Sequence, residues 1–471
     1  MRQIGIHLLQ SNTEFDIEYT YLVDETLIQS GRIIRGSFVD VPFGTRKQLQ
    51  TGVVWTIGAP FRPENGEKNK FKQVAAVSKI RPPLEAYEMA LAEYMHNVYF
   101  CSLGACVRRM IPPDAPKGRQ VKYAHLCVSP EIAEEAASSG ALRNISQIRI
   151  LDRLKEGDCS VSELVKNVGC STGVVETLAK RGYVDIKKRY PSAEETQTKH
   201  ESALAASALP TYDRHILNEE QHRAYDFITD LLRKNTFAEC LLHGVTGSGK
   251  TELYMHLISE TIANGGDTLL LVPEISLTPQ MTAHFTHRFG NNVAVLHSRL
   301  SDGERNLQWN RIKNGEVSVA IGARSAIFAP FQNLRLIILD EEHEPSYRSE
   351  DAAPRYHAAE IAEAIGRIRN AVVLYGSATP RVETFYRVVN HEIYYIPLTK
   401  RANHAALPEI ILEDLREARE NGTADFFSAF GGQLKDALAE NYKNNKQAML
   451  FVHRRGYAKQ MLCRNCGGIM K

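Results

Sequence analysis

The chain has 471 residues, a formal net charge of +2, and 43% hydrophobic against 24% charged residues. That composition excludes wholesale disorder and leaves any nucleic-acid binding to local patches, and the length predicts about three domains. Eight scattered cysteines do not make a disulfide framework, no apolar run reaches ~18 residues, and Met1-Arg2-Gln3-Ile4 lacks a signal-peptide core, so a cytoplasmic protein with reduced thiols and no membrane span is expected.

Residues 1–105 read as a small β-rich domain, with short strands over 19–23, 37–41 and 51–57 and a closing helix over 87–99. The turn from Pro42 to Lys47 carries Arg46 and Lys47, a pairing that more often marks a solvated hairpin than a ligand site. From 106 to 200, a basic connection over 107–122 holds Arg108, Arg109, Lys117, Arg119 and Lys122 against Asp114. Helices over 147–154, 161–168 and 172–181, then a basic strand over 183–189, predict a winged helix, used either for docking on DNA or as a spacer or protein contact. The stretch 191–210 reads as a linker.

A third region, 201–396, opens with a helix from Leu217 and centres on Gly244-Val245-Thr246-Gly247-Ser248-Gly249-Lys250-Thr251. This fits G-x-x-x-x-G-K-[ST] between a buried strand and a helix, the context a phosphate-binding loop requires. Side chains at Gly244, Gly247 and Gly249 would block the backbone N–H groups that wrap phosphates; Lys250 reaches the phosphates and Thr251 ligates Mg²⁺. Apolar strands over 268–272, 293–296, 317–321, 334–339 and 371–374 alternate with helical stretches, which predicts a doubly wound parallel sheet. Asp340 and Glu341 follow one of them, with Asp340 expected to hold Mg²⁺ and Glu341 to polarise the attacking water. ATP and Mg²⁺ are therefore the expected ligands.

Asp340-Glu341-Glu342-His343, Gly376-Ser377-Ala378-Thr379-Pro380, the run from Gly322 through Arg324 to Pro330 and that from Leu271 to Gln280 together resemble the PriA family, superfamily 2 DNA helicases that restart stalled replication forks. The resemblance implies a multidomain α/β protein: a β-rich 3′-end DNA-binding domain, a winged helix, a RecA-like lobe and, over 397–471, the start of a second lobe. It implies that Gln221 reads the adenine edge and that Thr246 and Ser248 belong to the nucleotide loop. Arg324, His343, Ser377 and Thr379 would couple DNA to hydrolysis, and Tyr347, Arg348, Arg355 and Tyr356 would form an aromatic-rich loop suited to single strands. In the N-terminal domain, Tyr19-Thr20-Tyr21 stands where the family pocket takes the 3′ end of a nascent strand, with Thr20 in place of the aspartate of some members.

Within 397–471, His453-Arg454-Arg455-Gly456-Tyr457 resembles the first motif of the second lobe, and Cys463 and Cys466 resemble the first knuckle of the family's zinc-binding insertion. A structural zinc site takes about four ligands, so the two cysteines read as half a site and the sequence as a fragment within the second lobe. The expected partners are forked and single-stranded DNA and, by resemblance, replication-restart and primosome proteins and single-stranded DNA-binding protein. Two functional readings follow: an ATP-driven 3′→5′ helicase for fork restart, weak or inactive without the second lobe's arginine finger, or a non-motor fork-recognition scaffold that binds nucleotide.

Overall fold

Alternating apolar residues near the N-terminus build an antiparallel sheet from β1 (Arg2–Leu8), β2 (Tyr19–Val23), β3 (Phe38–Pro42), β4 (Leu49–Pro60) and β5 (Ala76–Val77), in the order β2-β1-β4-β3-β5. The computed structural model describes residues 1–10, 16–44, 49–60, 71–78, 81–112, 121–129, scattered positions over 132–142, 144–155, 157–189, 216–350, 353–402, 409–422, 430–451, 461–462 and 469–470. Arg46, Lys47, the 191–210 linker, His453 to Tyr457, Cys463 and Cys466 lie outside them. One face of the sheet buries Ile4, Ile6, Val39 and Val54 under the short helix α1 (Glu25–Gln29) and its flanks. The other buries Phe38, Val53 and Trp55 against Leu91 and Met95 of α2 (Ala86–Tyr99).

A third helix, α3 (Leu103–Met110), was not expected: Arg108 and Arg109 ride on its last turn and are not part of an irregular connection. Ser102 starts it by accepting from the Ala105 N–H at 3.2 Å. The helix lies so close to β1 that a Cβ on Gly104 would stand 2.1 Å from the Leu8 carbonyl oxygen, which explains glycine there.

The winged-helix region has the predicted helices, α4 (Ile145–Lys155), α5 (Val161–Val168) and α6 (Thr172–Lys180), around Ile150, Leu151, Leu164, Val175 and Leu178. Lys122 belongs to a strand, β6 (Val121–Leu126), which pairs with β7 (Cys159–Ser160) and β8 (Val184–Arg189). The basic connection is therefore shorter than the sequence suggested, because β6 finds its partner only after three helices.

From residue 219 the chain alternates α7 (Glu219–Lys234), β9 (Ala238–Gly244), α8 (Lys250–Ala263), β10 (Asp267–Leu271), α9 (Pro279–Phe289), β11 (Val293–Leu296), α10 (Asp302–Lys313), β12 (Val319–Gly322), β13 (Leu334–Asp340), α11 (Ala358–Arg369), β14 (Val372–Ser377), α12 (Val382–Val389) and β15 (Tyr394–Leu398). The seven strands are all parallel, in the order β11-β12-β10-β13-β14-β9-β15. Their apolar runs are buried on both faces, as a parallel sheet requires. This is the RecA-like sheet expected from the alternation, with β15 as an additional edge strand.

The N-terminal sheet and this lobe share one core. Met95, Leu103 and Val107 join Phe328, Ile361 and Ala362 in a continuous apolar cluster. Tyr99 also donates to the Glu360 carboxylate at 2.6 Å, and the Arg369 guanidinium lies 4.3 Å from the Tyr87 ring centroid. Residues Met1–His404 form one compact unit and Ala405–Lys471 another. Taken alone, the second unit contributes α13 (Leu415–Glu420), α14 (Gly432–Lys443) and the ladder of β16 (Met461–Leu462) with β17 (Ile469–Met470).

Candidate nucleotide and nucleic-acid site

The loop leaving β9 must turn tightly to start α8, and it does so with Gly247 and Gly249 at φ +80 and +79. A Cβ on Gly244 would come 2.5 Å from the Ser248 hydroxyl, so the glycine lets the loop close on itself. Lys250 is 8% exposed and turns its ammonium back onto the Gly244 carbonyl at 2.9 Å. The Ser248 hydroxyl is buried with no hydrogen-bond partner among the described residues. An orphaned hydroxyl, a lysine parked on a loop carbonyl and the free N–H groups of a helix start fit a triphosphate. Thr246 is exposed at the tip and Thr251 half-buried in the first helical turn.

Gln221 sits where the sequence puts it, beside this loop, but its amide is engaged at both ends. Its Oε1 accepts from the Asn218 N–H at 2.8 Å in a capping box, and its Nε2 donates to the Ser248 carbonyl at 2.8 Å. Here Gln221 fastens the loop; reading an adenine edge would require it to exchange at least one of these bonds.

β13 runs beside β14, which brings Asp340 level with Gly376 at the same sheet edge as the phosphate loop. Tyr254 of α8, fully buried, donates to Asp340 Oδ1 at 3.0 Å, and Tyr347 donates to the Asp340 carbonyl at 2.7 Å. Burial pushes the Asp340 carboxyl above its ordinary range, Glu341 adds to this, and the Tyr254 hydroxyl and Lys250 charge pull the other way. Gly376 is required here, since a Cβ would fall 1.8 Å from the Tyr254 hydroxyl oxygen. Glu341 holds a left-handed φ of 45, a conformation that is costly for a non-glycine residue.

The two remaining motif residues are tied to the segment after β14. His343 Nδ1 lies 2.8 Å from Ser377 Oγ, which itself accepts from the Thr379 N–H at 3.0 Å. Glu342 is completely buried and accepts from the Arg381 N–H at 2.7 Å and the Thr384 hydroxyl at 3.1 Å, bracing the start of α12. Thr251 and Asp340 are the residues that would hold a hard divalent cation, whose contribution would be to neutralise phosphate charge, and the Glu341 carboxylate lies 3.6 Å from His343 Nδ1. Tyr254 and Glu342 were not singled out from sequence. Tyr254 was within reach, since it lies four residues beyond Lys250 on one helical face.

The loop of 345–357 departs from the expected aromatic platform. Tyr347 and Tyr356 are 1% and 2% exposed, Tyr356 lying edge-on to Phe328 at 5.1 Å, so neither ring is open to stack on a base. Arg324 donates to the carbonyls of Ser346, at 3.2 Å, and Arg348, so it braces the loop from behind. Arg348 and Arg355 do project into solvent. In the N-terminal sheet, Thr20 is exposed on the edge strand β2, Tyr19 packs edge-on against Phe43 at 5.0 Å, and the Tyr21 hydroxyl donates to the Pro42 carbonyl at 3.1 Å.

Comparison with known proteins gives two family matches: DEAD/DEAH box helicase over residues 219–388 and 3′DNA-binding domain (3′BD) over residues 9–112. Among relatives, replication restart protein PriA of Bacillus subtilis (strain 168) is 41% identical over 306 residues, 65% of this chain and 36% of that protein. The PriA proteins of Chlamydia muridarum (strain MoPn / Nigg) and Haemophilus influenzae (strain ATCC 51907 / DSM 11121 / KW20 / Rd) are 30% and 32% identical over 93% and 92% of this chain, in each case 57% of the relative. The chain thus spans less than two thirds of each relative's length.

Proposed function

The chain belongs to the PriA family of replication restart proteins, and on that premise we propose that it works as an ATP-dependent 3′→5′ DNA helicase that recognises stalled or branched forks and initiates primosome assembly. Residues 1–105 take the 3′ end at Tyr19, Thr20 and Tyr21, with Arg46 and Lys47 nearby in sequence; 106–200 dock on DNA; 201–396 hydrolyse ATP; and 397–471 open a second lobe in which Cys463 and Cys466 supply half of a zinc site. Replication-restart and primosome proteins and single-stranded DNA-binding protein are the partners, and the cytoplasm the compartment. Among the described residues no helix is long and apolar enough to cross a membrane.

The observation that carries the reading is that the helix after the phosphate loop reaches Asp340 through Tyr254, while His343, three residues further on, meets Ser377 at the end of the neighbouring strand. Lys250 and Gly244 to Thr251 hold the phosphates, Thr251 and Asp340 hold Mg²⁺, and Glu341 orients water. His343, Ser377 and Thr379, with Arg324, Arg348 and Arg355, report strand occupancy to that centre. Steady-state hydrolysis with and without forked DNA tests it, beside equilibrium binding of a fluorescent ATP analogue. DNA-stimulated turnover that disappears in Glu341→Gln while analogue affinity stays within about 3-fold supports the assignment. Turnover retained in that variant overturns it.

A further inference from the structure

A cavity of about 320 Å³ opens between the N-terminal domain and the RecA-like lobe. One bank carries Arg81 together with Arg108 and Arg109 of α3; the other carries Arg305 of α10 and His297, just past β11. Its floor is apolar, made by Phe328, Tyr356 and Trp309, all buried. Among the described residues lining it there is no carboxylate, and among them neither Arg108 nor Arg305 has an ion-pair partner.

Arg81 and Arg109 have other interactions, Arg81 with Asp40 among them, but Arg108 and Arg305 bring two further guanidinium groups to one cleft, where like charges repel unless an anion lies between them. The cavity lies at the carboxyl ends of β11 and β12, the same sheet edge as the phosphate loop and the edge at which open α/β sheets take ligands. Its two banks come from different domains, yet the shared apolar core under α2, α3 and α11 fixes them to each other, so the site is preformed. Arginine suits the role, since its planar fork meets phosphate oxygens two at a time, and the buried apolar floor strengthens those contacts by lowering the local dielectric.

We propose that this interdomain cavity is a single-stranded DNA backbone site, with Arg108 and Arg109 on one bank and Arg305 on the other gripping adjacent phosphates, so that one strand is held by the motor lobe and the N-terminal domain together. The inference rests on the DNA-binding reading above and adds to it a place and a bridging role. Its volume is at the small end for ligand pockets, about 300 Å³ upward, so it holds a short stretch of strand and not a duplex.

The test is the double variant Arg108→Glu/Arg305→Glu in the 471-residue chain, with Arg108→Lys/Arg305→Lys as the conservative control. Fluorescence anisotropy with a single-stranded oligonucleotide over a salt series is the main readout. The Glu variant should bind at least about 10-fold more weakly near 0.1 M salt, with the slope of log K against log salt shallower by about 1.4, roughly 0.7 for each lost phosphate contact. The Lys variant should keep most of the slope, and a fluorescent ATP analogue should bind all three proteins alike. If the wild-type chain binds DNA and the Glu variant matches it in affinity and slope, the cavity is not a strand site, while the proposed function stands. If the wild-type chain binds no DNA, both fall. Calorimetry with pyrophosphate alone separates the remaining source: heat lost in the Glu variant with DNA affinity unchanged assigns the cavity to a free anion and overturns the strand.

Discussion

Two regions of this molecule carry residues tied to function by family resemblance, and they are held in opposite ways. At the carboxyl edge of the seven-stranded sheet, Lys250, Asp340, His343 and Ser377 are each hydrogen-bonded, Lys250 and Ser377 being buried and Asp340 and His343 half-buried. On the outer strand β2 of the N-terminal sheet, Thr20 faces solvent and only the flanking tyrosines are fastened. Under the proposed function the difference follows from what each region would do. Phosphoryl transfer needs charges fixed in a dry site, so its groups are braced from several sides. A receptor for a polymer end needs an accessible edge, and bracing its central residue would close it.

The largest expected effect separates the two regions. In protein carrying a complete second lobe, Lys250→Ala should lower turnover by ~10³-fold or more, equivalent to about 4 kcal/mol of transition-state stabilisation, while oligonucleotide affinity changes by less than about 2-fold. Parallel losses in hydrolysis and anisotropy assays would mean that the regions do not act separately.

The next sharpens how far they share a fold. Arg387 of α12 donates to the buried carboxylate of Glu239 at 3.1 Å, and Tyr375 donates to the same oxygen at 2.7 Å. Arg387→Ala leaves that carboxylate without its counter-charge, at a cost of about 3 kcal/mol. The chain has two tryptophans, Trp55 in the N-terminal sheet and Trp309 in α10. Single-tryptophan versions should show both reporters melting together at the lowered temperature, because one apolar core contains both. Separate transitions would show that the two regions unfold independently.

A third expectation concerns pH. His357 caps α11, accepting from the Ala359 N–H at 3.2 Å, and its Nε2 faces the Arg381 guanidinium at 3.2 Å. Burial, then the charges of Arg381 and Arg348, lower its pKa from 6.5 to about 4. A lowered folded pKa means the unfolded chain binds more protons between these values, so stability is lost as pH falls from 6.5 towards 4. The contribution is on the order of 3 kcal/mol at most. His357→Gln should flatten the acid limb of a stability-versus-pH curve over that window; an unchanged limb would place the acid sensitivity elsewhere.

The smallest effect is the most local. Tyr254→Phe removes the side-chain donor to Asp340 Oδ1 and should cost ~1–2 kcal/mol in a denaturant titration. Because that hydrogen bond favours the carboxylate, its loss should also move the acid limb of Mg²⁺-dependent turnover to higher pH. An unmoved limb would show that Tyr254 serves packing alone.

Much of the RecA-like lobe was legible because its motif residues are contiguous in sequence. Gly244 to Thr251 and Asp340 to His343 announce themselves, and apolar strands between helical stretches imply a parallel sheet. What escaped was set by partners distant in sequence. Strand β6 was hidden in a basic, proline-flanked stretch because its ladder partner β8 lies beyond three helices. Strand β15 contains Pro397, which argues against a central strand but is tolerated at an edge, where β15 lies. The burial of Tyr347 and Tyr356 was equally invisible: aromatics interleaved with arginines look the same in sequence whether the rings face solvent or the core.

The position of β9 has a consequence for how the protein is made. This strand, which leads into the phosphate loop, lies between β14 and β15, so both of its neighbours are synthesised long after it. At ~5–20 residues per second, a ribosome takes on the order of 10 s to pass from residue 244 to residue 398. Through that interval the nascent β9 has no ladder partner on either side, and Glu239 has not yet met Arg387. The nucleotide loop can therefore take its shape only near the end of the lobe's translation, and a stall before Tyr394 would expose a flat apolar strand, Cys240-Leu241-Leu242, to whatever chaperone or neighbouring chain is at hand.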